Sequence, residues 1–228
     1  MSKLIHEDLC FVVSRIPKDI RNVMTEKNVY LCGGFIRAII AHEQPSDVDL
    51  LGSNCDELKN IATELTLARR GRLHKTQNAY TILTINRLPV QFITRWLYST
   101  PHEIIESFDF TIAQATVWFE KETKRWQSLI SDRFYVDLAA RRLVYTSPRR
   151  EEEVGGSLLR VRKFLSKGYN IQAPALAEVI VRLISGVNGI EKLSEEFRVK
   201  VVTGLLREVD PLIAIDGLDL IDEHEMIN

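Results

Sequence analysis

Residues 29–52 read Val29-Tyr30-Leu31-Cys32-Gly33-Gly34-Phe35-Ile36-Arg37-Ala38-Ile39-Ile40-Ala41-His42-Glu43-Gln44-Pro45-Ser46-Asp47-Val48-Asp49-Leu50-Leu51-Gly52. This stretch decides the fold. The run up to Cys32 is short and apolar and ends in a glycine pair, the pattern of a buried strand entering a turn. Phe35–Glu43 reads as a short helix. Ser46–Gly52 alternates and reads as a second strand. Two glycines after a strand let backbone amides approach a phosphate with no side chain in the way. The following helix points its N-terminus at that phosphate. Aspartates at i and i+2 of a strand face one side, where they can hold two hard cations about 3.5–4 Å apart, the arrangement phosphoryl and nucleotidyl transfer uses. Taken alone, Gly33-Gly34 is a plain turn and Asp47 and Asp49 are strand-end charges. The ordered set is far more specific than either part.

Working outward, residues 3–26 carry apolar positions at helical spacing (Leu9, Val12, Val13, Ile16), interrupted at Pro17. Cys55–Arg70 predicts a helix capped by Ser53 or Asn54. Ala79–Ile85 and Pro89–Trp96 predict two strands joined by a turn around Asn86-Arg87-Leu88. Asp109–Phe119 is β-branched and aromatic, so strand-like, with a helix start as the alternative. From about residue 151 three helical stretches follow: 156–168, 175–186 and 191–209. The expected architecture is α/β (α+β): residues 1–150 form a head with a mixed sheet flanked by helices, and residues 151–228 a small helical region.

Composition bounds the function. The chain has 228 residues, 45% hydrophobic and 27% charged, which is ordinary for a globular protein and excludes global disorder. No apolar run reaches the roughly 18–20 residues that span a bilayer, and the start lacks a clean signal core, so a cytoplasmic location without membrane attachment is expected. Cys10, Cys32 and Cys55 form no paired motif and read as free buried thiols in a reducing compartment. Five scattered histidines give no zinc-protease pattern. A net charge of -1 argues against coating nucleic acid through bulk charge, though not against a local basic groove. Residues 141–167 are rich in arginine and lysine, and residues 207–228 are strongly acidic, the latter reading as a solvated face.

The strand at Val29–Cys32, the glycine pair, Arg37 and Ser46-Asp47-Val48-Asp49-Leu50 together resemble the head domain of the DNA polymerase β-type nucleotidyltransferase superfamily. The branch most resembled is the bacterial poly(A) polymerase and class II CCA-adding tRNA nucleotidyltransferase group. The likeness continues in order through Val90-Gln91-Phe92-Ile93-Thr94-Arg95, Asp109-Phe110-Thr111-Ile112, Asp137-Leu138 with Arg142-Leu143, and Leu158–Phe164 with Gly168-Tyr169-Asn170-Ile171. It covers roughly residues 29–171. The resemblance implies that Asp47 and Asp49 ligate Mg2+ or Mn2+ and that Gly33, Gly34 and Arg37 hold the triphosphate. It places Asp109 by the ribose, and Arg160 and Lys163 by the phosphates or base. The substrate implied is a ribonucleoside triphosphate; the implied acceptor is RNA, tRNA included.

Four departures bear on activity. Gln91 stands where the superfamily has a third carboxylate; its carbonyl can ligate a metal, but it brings no charge and cannot act as a base. Ser107 and Phe108 replace two arginines. Glu153-Val154-Gly155-Gly156-Ser157 replaces the base-reading Glu-Asp-x-x-Arg segment, so no ordered CCA synthesis is expected. The chain after Ile171 is much shorter than the helical body of the full enzymes, which implies a reduced neck. The expected activity is template-independent nucleotidyl transfer to a hydroxyl acceptor, first of all an RNA 3′ end. The alternatives are a nucleotide-binding regulatory module with weak or no turnover, and a defence-type transferase acting on tRNA or protein. Among weaker features, Trp96, Trp118 and Trp126 read as core, His74 as part of a solvated loop, and Ser157 as a helix cap.

Overall fold

In a computed structural model the chain is described over residues 1–148, 155–185 and 190–201. It divides into two compact units, Met1–Ala139 and Ala140–Asn228, whereas the sequence reading puts the divide near residue 150. The Glu153-Val154 part of the base-reading segment and the acidic stretch 207–228 lie outside the described residues.

The first unit begins with two helices, α1 (His6–Arg15) and α2 (Lys18–Glu26). Pro17 separates them as expected, because it cannot donate to a continuing helix. Next come β1 (Tyr30–Cys32), α3 (Gly34–Ile40), β2 (Val48–Leu51) and α4 (Cys55–Arg69). Of the two candidate caps for α4, Asn54 is the one used: its side chain accepts from the Glu57 amide. Then follow β3 (Arg72–Lys75), β4 (Ala79–Leu83), β5 (Val90–Ile93), α5 (Pro101–Ser107), a 3-10 turn (Thr111–Ala113), β6 (Ala115–Glu120), β7 (Arg125–Ile130) and α6 (Phe134–Ala139).

Seven strands form one mixed sheet in the order β3-β4-β5-β2-β1-β6-β7. β2 and β5 run parallel; the other neighbours are antiparallel. Alternation sorts the side chains. Val48 and Leu50 of β2, Val90 and Phe92 of β5, Ile82 of β4 and Leu31 of β1 point to one face and are fully buried. The opposite face carries Asp49, Cys32 and Gln91, and α5 covers part of it: Ile104 packs with Cys32 and Leu51.

α5 starts with a full capping box, Thr100 with Glu103, and a proline in its first turn. The strand expectation for 109–119 resolves into the 3-10 turn followed by β6. Several expectations are corrected. His74 is buried in β3, not in a solvated loop. Cys10 and Cys55 are exposed; only Cys32 is a buried thiol. Trp96, Trp118 and Trp126 are all partly exposed; Trp118 lies beside Tyr30, Trp126 edge-on to Phe119, and Trp96 under the Arg95 guanidinium.

The second unit holds β8 (Arg142–Leu143), α7 (Gly156–Ser166), β9 (Asn170–Ile171), α8 (Ala173–Ser185), a 3-10 turn (Ile190–Lys192) and helical residues 195–201. β8 and β9 pair in parallel. Gly155, not Ser157, is the cap of α7, and Ser157 is buried in its first turn.

Candidate active site

The site is built from one row of residues across the sheet. Cys32 on β1 pairs with Asp49 on β2, Asp49 with Gln91 on β5, and Gln91 with Thr81 on β4. The row extends to His74 on β3 and to Thr116 on β6. Direct cross-strand partners share a face, so His74, Thr81, Gln91, Asp49, Cys32 and Thr116 line up on one side. Thr81 and Thr116 are fully buried and Cys32 nearly so. The Thr116 hydroxyl donates to the Leu31 carbonyl and lies 3.5 Å from the Cys32 thiol. Asp49 and Gln91, in the middle, are only half-buried. The polar row is therefore closed toward its ends and open at its centre. Asp47, two residues before Asp49 and also half-buried, stands at the start of the strand. The Val48 amide between them donates to Pro89, which ties this start to β5.

Gly33 follows Cys32 with φ +62°, a conformation that side-chain-bearing residues rarely adopt. Its amide donates to Ala115 on β6. A Cβ at Gly33 would stand 3.0 Å from Cε1 of Phe108, so glycine is required here twice over. At Gly34 a Cβ would meet nothing within 4 Å. The space in front of Gly34 is thus open, whereas Gly33 is closed by the Phe108 ring. Phe108 is one of the two residues that replace the arginines of the resembled family.

Arg37 sits inside α3 and is 4% exposed. Its Nη1 donates to Glu43 at 2.6 Å. This pair ties α3 to the loop that leads to Asp47. Asp109 is also 4% exposed and lies just before the 3-10 turn. That turn is anchored by the buried Asp137 of α6, which accepts from Thr111 at 2.7 Å and from Nε and Nη2 of Arg133 at 3.1 and 2.9 Å. Asp137 belongs to a stretch picked out by the sequence, but its anchoring of Asp109's turn is a three-dimensional fact. On α7 of the second unit, Lys163 is exposed and the Arg160 guanidinium lies back over Gly156.

Over residues 3–141 the sequence matches the profile of the Gabija anti-defense 2 family. The chain belongs to this family. The matched residues cover nearly all of the first unit, including Gly33, Asp47, Asp49, Gln91 and Asp109. Among solved structures, the fold is similar to the Thermotoga maritima CCA-adding enzyme complexed with tRNA-CCA, at 18% identity and a TM-score of 0.55 over 91% of this chain and 52% of that one. It is similar to a CCA-adding enzyme in complex with ATP, at 17% identity and a TM-score of 0.56 over 91% of this chain and 51% of that one. It is also similar to a tRNA-processing enzyme with CTP, at 17% identity and a TM-score of 0.51 over 92% and 60%. The chain spans between half and three fifths of the length of these solved chains. At such identities the likeness speaks to the fold alone: the mixed sheet and its flanking helices match the fold of the head in these solved enzymes. No curated relative matches the chain. Among the described residues, no helix is long and apolar enough to cross a membrane.

Proposed function

We propose that the chain is a template-independent nucleotidyltransferase that moves a nucleotide from a ribonucleoside triphosphate to a hydroxyl acceptor. The observation that carries this reading is the register of Asp49. It lies between Cys32, the residue before the glycine pair, and Gln91, the neutral counterpart of an expected carboxylate.

The donor set decides which cation fits. Among the described residues, no group of three or more His, Cys, Asp or Glu side chains could hold a metal alone. Two aspartates and an amide carbonyl are hard oxygen donors. They suit magnesium or manganese when substrate phosphates and water complete the shell. Such a cation supplies charge neutralisation and Lewis acidity at the phosphates. Asp47, Asp49 and the Gln91 carbonyl would hold it. Gly33 and Gly34 leave backbone clear beside the triphosphate, and Arg37 with Glu43 holds α3 in position. Asp109 accepts a hydrogen bond from the ribose. For Arg160 and Lys163 the support is the resemblance of the α7 sequence alone. The acceptor oxygen attacks the α-phosphorus, the bond to the β-phosphate oxygen breaks, pyrophosphate leaves, and the hydroxyl proton passes to Asp49 or water.

For the acceptor class the support is the family description. Its anti-defense description favours an acceptor within the Gabija system, or an RNA 3′ end on which that system depends. A second reading, nucleotide binding without turnover, draws on the missing charge at Gln91. The test is transfer of label from each α-32P ribonucleoside triphosphate, with magnesium, to RNA or protein in lysates with and without Gabija. Labelled acceptor that disappears with Asp47→Ala supports the transferase. Thermal stabilisation by triphosphate and magnesium without label supports the binding module. Neither signal would contradict both readings.

A further inference from the structure

A cavity whose lining carries four charged side chains lies in the first unit, outside the row of Asp49 and Gln91. It is an open depression of about 500 Å3 lined by Pro17, Lys18, Asp19, Asn22, Arg69, Arg87 and Leu88. Three elements meet there: the first turn of α2, the last residue of α4, and the turn between β4 and β5.

The cavity is cationic. Lys18, Arg69 and Arg87 face a single carboxylate, Asp19. That carboxylate is already committed. It accepts from Nε and Nη2 of Arg69 at 2.7 and 3.0 Å, a bidentate pair. Arg87 reaches it only at 3.4 Å, with 57% of its side chain exposed. A pair this long and exposed holds Arg87 weakly. The Arg69 side chain is 2% exposed, and its Nη1 has no hydrogen-bond partner. A buried guanidinium normally satisfies all its donors. Cation excess, an unsatisfied buried guanidinium and an exposed arginine free to swing converge on an oxyanion. The partial positive charge at the first turn of α2 adds to this, although one of its first amides, that of Ile20, already donates to Asp19 at 3.0 Å.

We infer that this cavity binds a phosphate group. Arg87 leaves Asp19 to take one phosphate oxygen, Lys18 takes another, and Arg69 contributes the fixed positive charge beneath. The cavity lies at the sheet end where the site begins: Leu88 lines it, and the next residue, Pro89, accepts from the amide of Val48, which follows Asp47. The phosphate has two possible sources, a phosphodiester of an RNA strand or a free nucleotide. The inference does not depend on turnover.

The experiment uses the full chain and two probes in low salt: a fluorescein-labelled ten-nucleotide single-stranded RNA read by anisotropy, and UMP read by calorimetry. The variants are Arg87→Glu and Lys18→Glu, at solvent-facing positions that should leave folding intact. Lys121→Glu, in the β6–β7 turn, is the control for bulk charge. Each cavity variant is expected to weaken binding by about ten-fold, as loss of a phosphate contact with charge reversal does. A loss with RNA alone assigns the cavity to a strand phosphodiester, and a loss with both probes to a free phosphate. Binding of neither probe by the unaltered chain, unchanged affinity in both cavity variants, or an equal loss with Lys121→Glu would overturn the inference.

Discussion

Asp49 and Gln91 are direct register partners on the parallel strands β2 and β5. Their side chains therefore share a face, at the half-buried centre of an otherwise closed polar row. An amide in that place leaves the site one negative charge short of three carboxylates. Gln91→Glu is expected to tighten magnesium binding without nucleotide by about ten-fold, roughly 1.4 kcal/mol. Turnover, where present, should rise. If Asp109 supplies the third carboxylate instead, Gln91→Glu lowers activity and Asp109→Asn is as damaging as loss of Asp47. Magnesium titration and turnover of both variants separate the two.

The glycine pair should respond asymmetrically. Gly33→Ala forces a Cβ onto the Phe108 ring at a positive φ and is expected to cost on the order of 2 kcal/mol. Gly34→Ala meets open space and should fold normally. It should weaken triphosphate binding, because the added methyl stands where the backbone must approach a phosphate. Urea midpoints and calorimetry on the two variants check this. Normal stability in Gly33→Ala, or normal nucleotide affinity in Gly34→Ala, would contradict the reading of the turn.

Much of this is legible in the sequence, for physical reasons. The glycine pair and Pro45 punctuate short apolar runs, so β1, α3 and β2 stand out one by one. β3 escapes a sequence reading because its four residues include Arg72, His74 and Lys75, and an edge strand of that polarity looks like a loop. α5 does carry a signal, the Thr100–Glu103 box with Pro101. β7 and α6 lack strong punctuation. Pairings between distant residues cannot be read at all. Asp19 with Arg69, Thr111 with Asp137, and Phe108 against Gly33 depend on which elements the fold brings together. The burial of Arg37 against Glu43 has the same origin, and it changes how that arginine can serve a phosphate.

Asp137 anchors the turn that carries Asp109, so its loss should act at a distance. Asp137→Asn keeps the shape but weakens the bonds from Arg133 and Thr111, and is expected to cost about 2 kcal/mol. Nucleotide affinity of the folded fraction should fall with it. If affinity is unchanged while stability drops, Asp137 supports the fold and does not position Asp109.

Asp19 gives the chain an acid-sensitive contact. Burial alone would raise its carboxyl, but the hydrogen bond and charge of Arg69 outweigh this, with help from the Ile20 amide and Arg87, and the carboxyl is held below its ordinary value. A carboxyl lowered on folding contributes stability above its unfolded value, near pH ~4, and loses it as pH falls through the folded value. Urea midpoints from about pH 7 to about pH 3 should show that loss in the unaltered chain and a smaller one in Asp19→Asn. Equal acid sensitivity in both would show that the pair contributes little.

The central claim is that Asp47 and Asp49 form the centre of a nucleotidyl-transfer site, and pyrophosphate release tests it most directly. The full chain, incubated with ribonucleoside triphosphates, magnesium and an acceptor-containing lysate, is expected to release pyrophosphate. Asp47→Ala and Asp49→Ala should each abolish that release while circular dichroism and the thermal midpoint stay close to those of the unaltered chain. Release that persists at near-normal rates in both folded variants would contradict the account.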